Sequence, residues 1–408
     1  MAGECWRNGM LGDIAEIKTG KLDSNAATAG GRYPFFTCSP ETLTIESAAF
    51  DCEAAILAGN NASGIFSVKY FHGKFNAYQR TYIITSRDDQ MVDTKYLYYQ
   101  LQQLTDLLGE YSIGTATKFL TRKILDPLPI PLPPLAEQKA IAHILGVLDD
   151  KIELNRRMNA TLETMARALF QSWFVDFDPV RAKLDGRQPA GLDADTAALF
   201  PDHFQDSPLG HIPHGWMAGN LGNVITAARE RIGDTDAVVL SAVSRSELAR
   251  SDEHFNKQVY SKSISNYLAV RRWDFAYNPS RINIGSVGML KEDLVGAVSP
   301  VYEVFRPTAG FHWFVERVLA QPETKGWIKT LCSGSVRQSL KLKDLSSIQC
   351  IIPPLPIVKA FNREWERLYS LIQANTAQSR TLATIRDALL PKLLSGELNI
   401  AGQQQAHL

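Results

Sequence analysis

The sequence predicts a mixed α/β chain with two globular domains separated by two long helices that form an antiparallel coiled coil. Three observations predict it. The chain repeats itself, each copy is followed by a heptad stripe, and strand-like apolar runs alternate with short helical segments inside each copy.

Gly114-Thr115-Ala116-Thr117-Lys118-Phe119-Leu120-Thr121-Arg122-Lys123-Ile124-Leu125 is similar to Gly334-Ser335-Val336-Arg337-Gln338-Ser339-Leu340-Lys341-Leu342-Lys343-Asp344-Leu345. Both run without a gap into Pro133-Pro134-Leu135 and Pro353-Pro354-Leu355, at a constant offset of 220 residues. The offset holds to Asn155 and Asn375, Leu162 and Leu382, and Leu169 and Leu389. The beginnings of the copies match at an offset of 210: Trp6, Leu11, Gly12, Asp13 and Ile14 against Trp216, Leu221, Gly222, Asn223 and Val224. Two blocks in one order imply two copies of one unit, a globular domain followed by a proline hinge and a helix.

After the first hinge, Ile141, Leu145, Leu148, Ile152, Leu162, Ala166, Leu169 and Trp173 recur at steps of four and three, with Asn155 and Asn159 in the same seam. The second stripe is Phe361, Trp365, Leu368, Ile372, Asn375, Ser379, Leu382, Leu389 and Leu393, which Arg386 interrupts. A polar residue in such a seam fixes register at a cost in stability. The two stripes are therefore expected to pair with each other. At about 1.5 Å per residue, ~36 residues span roughly 54 Å.

The expected boundaries are 1–135 for the first domain, 136–175 for the first helix and 176–212 for a polar connector. The second domain is 213–352, the second helix 353–398, and 399–408 a flexible tail. Within the domains, Ala54–Leu57, Tyr82–Ile84, Val238–Leu240 and Tyr302–Phe305 read as strands, and Thr94–Leu108 and Trp313–Leu319 as helices.

Composition excludes several classes. No run approaches the ~20 apolar residues of a membrane span, and the first residues lack the apolar core of a secretion signal. Five scattered cysteines without a C-x-x-C pair suit neither a disulfide framework nor a zinc site; they fit a reducing cytoplasm. The chain has 43 Lys+Arg and 43 Asp+Glu, a net charge of zero. Residues 216–352 carry 17 basic against 13 acidic side chains and residues 1–135 carry 12 against 14, so nucleic-acid binding would rest on local patches or basic partners.

Four features together resemble the specificity subunits of type I restriction–modification systems. They are the duplicated Gly-[Thr/Ser]-x-x-x-x-Leu block with its Pro-Pro-Leu, the helix from Ala136-Glu137-Gln138 to Val180, the entry Ile212-Pro213-His214-Gly215-Trp216, and Asp274–Arg281 followed by Val298–Tyr302. The resemblance implies two target-recognition domains, each reading half of a split site in double-stranded DNA, and no catalysis by this chain. It also implies two methyltransferase subunits as partners, with two restriction subunits where the system cleaves. S-adenosylmethionine, and ATP with Mg where a restriction subunit joins, would be used by those partners. Pro356-Ile357-Val358 departs from Ala136-Glu137-Gln138, which predicts weaker or asymmetric partner contacts there.

Candidate DNA contacts are cations and amides beside small residues, which permit close approach to phosphates and base edges. In the first domain they are Lys18, Lys21, Tyr78, Gln79, Arg80, Thr115 and Lys118. In the second they are Asn278, Ser280 and Arg281, with Ser335, Arg337 and Gln338 in the duplicated loop. The bland alternative is that the cations are solvated and Asn278-Pro279 is a turn. The spacer seam is assigned to Leu148, Ile152, Asn155, Leu162, Leu169, Leu368, Ile372, Asn375, Leu382 and Leu389.

Three rival functions fit the sequence less well. A DNA methyltransferase would need an Asn-Pro-Pro-aromatic motif, which Asn278-Pro279-Ser280-Arg281 fails at its last two positions, and a glycine-rich cofactor turn. Glu323-Thr324-Lys325 has the end of a nuclease motif without an upstream acidic strand, and Gly20-Lys21 lacks the preceding glycine of a phosphate loop. A helix-mediated scaffold would look similar in the helices but would not need two divergent globular domains.

Overall fold

The computed structural model describes residues 6–243, 247–254, 260–261, 263–332 and 339–398. The chain divides into two compact units, one built from residues up to Arg157 and again from Asn375 onward, the other from Met158 to Ala374. Ser335, Arg337, Gln338 and the tail from residue 399 lie outside the described residues.

The first unit centres on a six-stranded sheet. In spatial order its strands are Ala15–Thr19, Thr81–Ser86, Phe50–Ala58, Val68–Ala77, Tyr33–Phe36 and Leu43–Ile45. The central strand is buried on both faces at Ala54–Ala58, which explains a continuous apolar run where one-sided burial would give alternation. Helix Thr94–Gln103 covers one face, and Asp93 caps it by accepting the Tyr96 N–H at 2.7 Å. The expected single helix over 94–108 is two helices, broken at Leu104.

The second unit repeats this plan. Strands Ile225–Ala227, Glu303–Pro307, Phe275–Tyr277 and Val287–Met289 lie in the same order as the first four strands above, each adjacent pair antiparallel. A second sheet orders Glu247–Arg250, Val238–Val243, Gly296–Val298 and Leu268–Val270.

Each unit closes on itself through the repeat. Arg7 faces Leu132 in one two-stranded ribbon, and Met217 faces Ile352 in the other. These pairs differ by the two sequence offsets, 210 and 220, seen above. The Leu11 N–H donates to the Leu128 carbonyl at 2.9 Å, and the Leu221 N–H to the Ile348 carbonyl at 3.0 Å.

Each closure leads into a 40-residue helix, Leu135–Phe174 and Leu355–Leu394. In the first unit, Ile141, Ala142 and Leu145 of the first helix pack with Leu390, Leu393 and Leu394 of the second and with Tyr96 and Tyr99. In the second unit, Ala166, Phe170, Trp173 and Phe174 pack with Ile357, Phe361 and Trp365. Low numbers meet high numbers, so the helices run antiparallel, as expected for a coiled coil. Asn155 is fully buried, and its amide donates to the Asn375 carbonyl, Gln378 Oε1 and Ser379 Oγ at 3.3, 2.9 and 3.2 Å. Ile372 is also buried, whereas Leu148, Ile152, Leu162, Leu169, Leu368, Asn375, Leu382 and Leu389 are half-buried.

Residues 176–212 do more than connect. Helix Asp178–Leu184 and the hairpin Phe204–Ser207 with Gly210–Pro213 place Phe177, Val180, Phe200 and Ile212 in the second unit's core. The departure at Gln138 and Val358 is also internal. Gln138, 1% exposed, accepts the Asp93 N–H and donates to the Met91 and Pro133 carbonyls. Val358 is buried in an apolar core. One copy satisfies a polar group there and the other removes it, a difference that faces inward rather than toward a partner.

Candidate nucleic-acid interface

In the first unit several loops meet at one end of the central strand. The strand exits through Gly59 into Asn60–Asn61, which pairs antiparallel with Lys118–Phe119, Asn60 opposite Phe119 and Asn61 opposite Lys118. The Gly59 N–H donates to the Arg80 carbonyl and the Leu120 N–H to the Gly59 carbonyl, both at 2.9 Å. Arg80 lies over the Phe119 ring, 5.7 Å from its centre. The turn Tyr78–Thr81 is tied to the Lys18–Lys21 segment by the Gln79 N–H, which donates to the Leu22 carbonyl at 2.8 Å. Two glycines are required here. A Cβ on Gly20 would lie 1.9 Å from the Ala77 carbonyl oxygen, and Gly114 sits at φ +109° with the Thr117 carbonyl pressed against it.

In the second unit the matching strand Phe275–Tyr277 exits through Asn278 and Pro279. An open groove of about 830 Å³ lies beside it, lined by Arg229, Arg231, Asn278, Ser280, Tyr302 and Lys341 among others. Arg229 and Lys341 approach Glu303 at 3.9 and 3.6 Å, and Arg231 donates to Asn266 Oδ1 at 2.7 Å. Glu230, between the two arginines, turns instead to Arg271 at 2.7 Å. The alternation gathers cations in the groove although the local sequence is nearly neutral.

The two strand exits are equivalent residue by residue. Leu57 pairs with Tyr82 as Tyr277 pairs with Glu303. The Leu120 N–H reaches the Gly59 carbonyl, and the Leu340 N–H reaches the Pro279 carbonyl at 2.9 Å. A phenol donates to the next carbonyl in both units, though from neighbouring rather than equivalent strand positions, Tyr82 to Leu120 at 2.9 Å and Tyr277 to Leu340 at 3.1 Å. Burial pushes both phenols above the ordinary tyrosine value, keeping them protonated as donors.

Comparison with known proteins places this architecture. A family model described as type I restriction modification DNA specificity domain matches residues 3–164. The chain is 27% identical over 426 residues to the EcoDI specificity subunit of Escherichia coli, covering 96% of this chain and 88% of that one. It is 26% identical to the HindI specificity subunit of Haemophilus influenzae, covering 72% and 73%. The fold matches the S subunit of a type I system from M. genitalium with a TM-score of 0.58 at 15% identity, covering 95% and 96%. Residues 3–164 thus match a type I specificity domain, and the chain is similar to type I specificity subunits over nearly all of its length.

Within the first unit, the sequence-predicted candidates converge. Lys18, Lys21, Gln79, Arg80 and Thr115 are exposed, and Tyr78 and Lys118 half-exposed, on the linked segments just described. Lys18 pairs with Glu16 at 2.8 Å, so one predicted cation is already neutralised. In the second domain Ser280 and Arg281 are exposed at the strand exit. Asn278 uses its side chain locally, its Oδ1 accepting the Ser280 N–H at 3.0 Å, which makes it a turn former.

Arg229, Arg231 and Lys341, and also Asn60 and Asn61, are absent from the sequence candidates. Alternation around Glu230 was an available signal for the arginines. The asparagines carry no motif and are found only through the strand equivalence. Among the described residues no group of three or more His, Cys, Asp or Glu could hold a metal ion. No helix among them is long and apolar enough to cross a membrane.

Proposed function

We propose that this chain is the non-catalytic, DNA-reading member of a type I restriction–modification assembly. Each unit reads one half of a split target in double-stranded DNA, and the chain thereby places partner methyltransferase subunits on it. The observation that carries the reading is the duplicated strand exit, because two copies of one scaffold present different polar side chains at the same place. Side chains there would meet base edges, and the surrounding cations would meet phosphates and set register.

The helices suit partner docking. Val147 and Leu154 are 51% and 49% exposed on the first unit's part of the first long helix, seven residues apart. Such a stripe fits an amphipathic helix of a methyltransferase subunit. We assign two methyltransferase subunits to the assembly and two restriction subunits where it cleaves. S-adenosylmethionine, and ATP with Mg for cleavage, belong to those partners.

Methylome sequencing of cells with this chain and its partner methyltransferase, against cells lacking the chain, tests the reading. A methylated split motif that disappears with the chain is expected. An unchanged methylome with active methyltransferase would overturn it in favour of a scaffold without sequence choice.

A further inference from the structure

We propose that Asn60 is a base-reading residue of the first unit and contacts an adenine of its half-site. The inference rests on the function proposed above and adds a residue and a base to it. The strand equivalence aligns Gly59-Asn60-Asn61 with Pro279-Ser280-Arg281, since Gly59 and Pro279 each accept from the leucine of the duplicated block. Asn60 therefore occupies the place of Ser280, and Asn61 that of Arg281.

The two asparagines differ in what they have left to offer. Asn61 Oδ1 accepts both the Ser63 N–H and the Ser63 hydroxyl, at 2.7 and 2.6 Å, which commits it to shaping the turn. The Asn60 side chain is half-exposed and has no hydrogen-bond partner among the described residues. Its backbone, by contrast, is fixed by pairing with Phe119, and that ring carries Arg80 on one face. Asn60 is thus an open carboxamide on a rigid strand, flanked by Arg80 and Lys118 as phosphate contacts. A carboxamide offers one donor and one acceptor side by side, which matches adenine N7 and N6 in the major groove. At the corresponding exit the second unit presents the guanidinium of Arg281, a donor-only group whose bidentate match is guanine O6 and N7. One scaffold then reads different bases from adjacent positions of the same strand exit.

The test compares methylomes of cells carrying the wild-type chain, Asn60→Ala or Arg281→Ala, each with the partner methyltransferase. Asn60→Ala should relax one adenine position of one half-site by about tenfold or more and leave the other half-site unchanged. Arg281→Ala should relax only the other half-site. A split wild-type motif that Asn60→Ala leaves unaltered overturns the inference and spares the function. Absence of a split motif in the wild type overturns the function itself. If Asn60→Ala abolishes methylation, the assembled complex is titrated with duplexes altered at one base pair each. Loss of discrimination at a single adenine supports the proposal, and a penalty profile like that of the wild type overturns it.

Discussion

Arg386 donates from Nη1 to Asp149 Oδ1 at 2.8 Å, joining the two long helices at the point where the second apolar stripe is interrupted. The other Asp149 oxygen accepts the Tyr99 hydroxyl at 2.7 Å, which ties the same pair to the first domain. Both charged side chains are about three-quarters buried, at 23% and 24% exposure, so the pair is shielded from solvent screening more than a surface bridge.

Asp149→Ala should therefore destabilise the first unit by about 1–3 kcal/mol, because it strands the Tyr99 hydroxyl and leaves Arg386 with Asp387 as its remaining acid partner. Arg386→Leu should cost less, since an apolar residue restores the stripe. Thermal or denaturant unfolding measures both. Equal losses would show that the charge pair, rather than the stranded groups, sets the stability.

Asn155 is buried with its Oδ1 unpartnered, so Asn155→Leu should raise stability by about 1 kcal/mol. The same change should loosen register. Cysteine pairs placed in register and one heptad off would cross-link selectively in the wild type and indiscriminately in the variant.

Much of this was legible beforehand. The offsets of 210 and 220 became the closing pairs Arg7–Leu132 and Met217–Ile352, because a repeated sequence repeats its own strand register. Arg386 reads only as an interruption, because a heptad pattern records apolar positions and is blind to an acid 237 residues away. Asn60 was invisible for a related reason. Its significance comes from a neighbouring strand and a carbonyl, not from its sequence context.

Acidification should weaken the second unit through His312. Its ring stacks on Trp273 at 4.3 Å, and burial pushes it down to about 4, with Glu316 opposing and Arg272 reinforcing the shift. Glu366 also faces it at 3.9 Å. The fold holds the neutral ring while the unfolded chain takes up a proton below about pH 6.5. Stability is thus complete above that pH and declines as pH falls toward 4, by at most ~3 kcal/mol. His312→Phe, which keeps a stacking ring, should flatten this slope in unfolding measured across the range.

Arg229→Ala, Arg231→Ala and Lys341→Ala should each lower the slope of log affinity against log salt by about one for the assembled complex. The methylated sequence should stay the same. A changed motif would make the residue a base contact instead.

The first unit is discontinuous in the chain, and this governs its synthesis. Trp6 packs in the cluster that holds Leu389, Leu393 and Leu394, and its ring lies against Gly396. Residues 158–374 form the other unit without interruption. On the ribosome the domain begun second is therefore finished first, and the one begun first waits for the last helix to emerge. Until then Ile141, Leu145 and Tyr99 lack their cover, and exposed apolar surface of this kind invites aggregation. A premature stop ahead of Leu389 would fall hardest on the domain whose other residues are encoded before Met158.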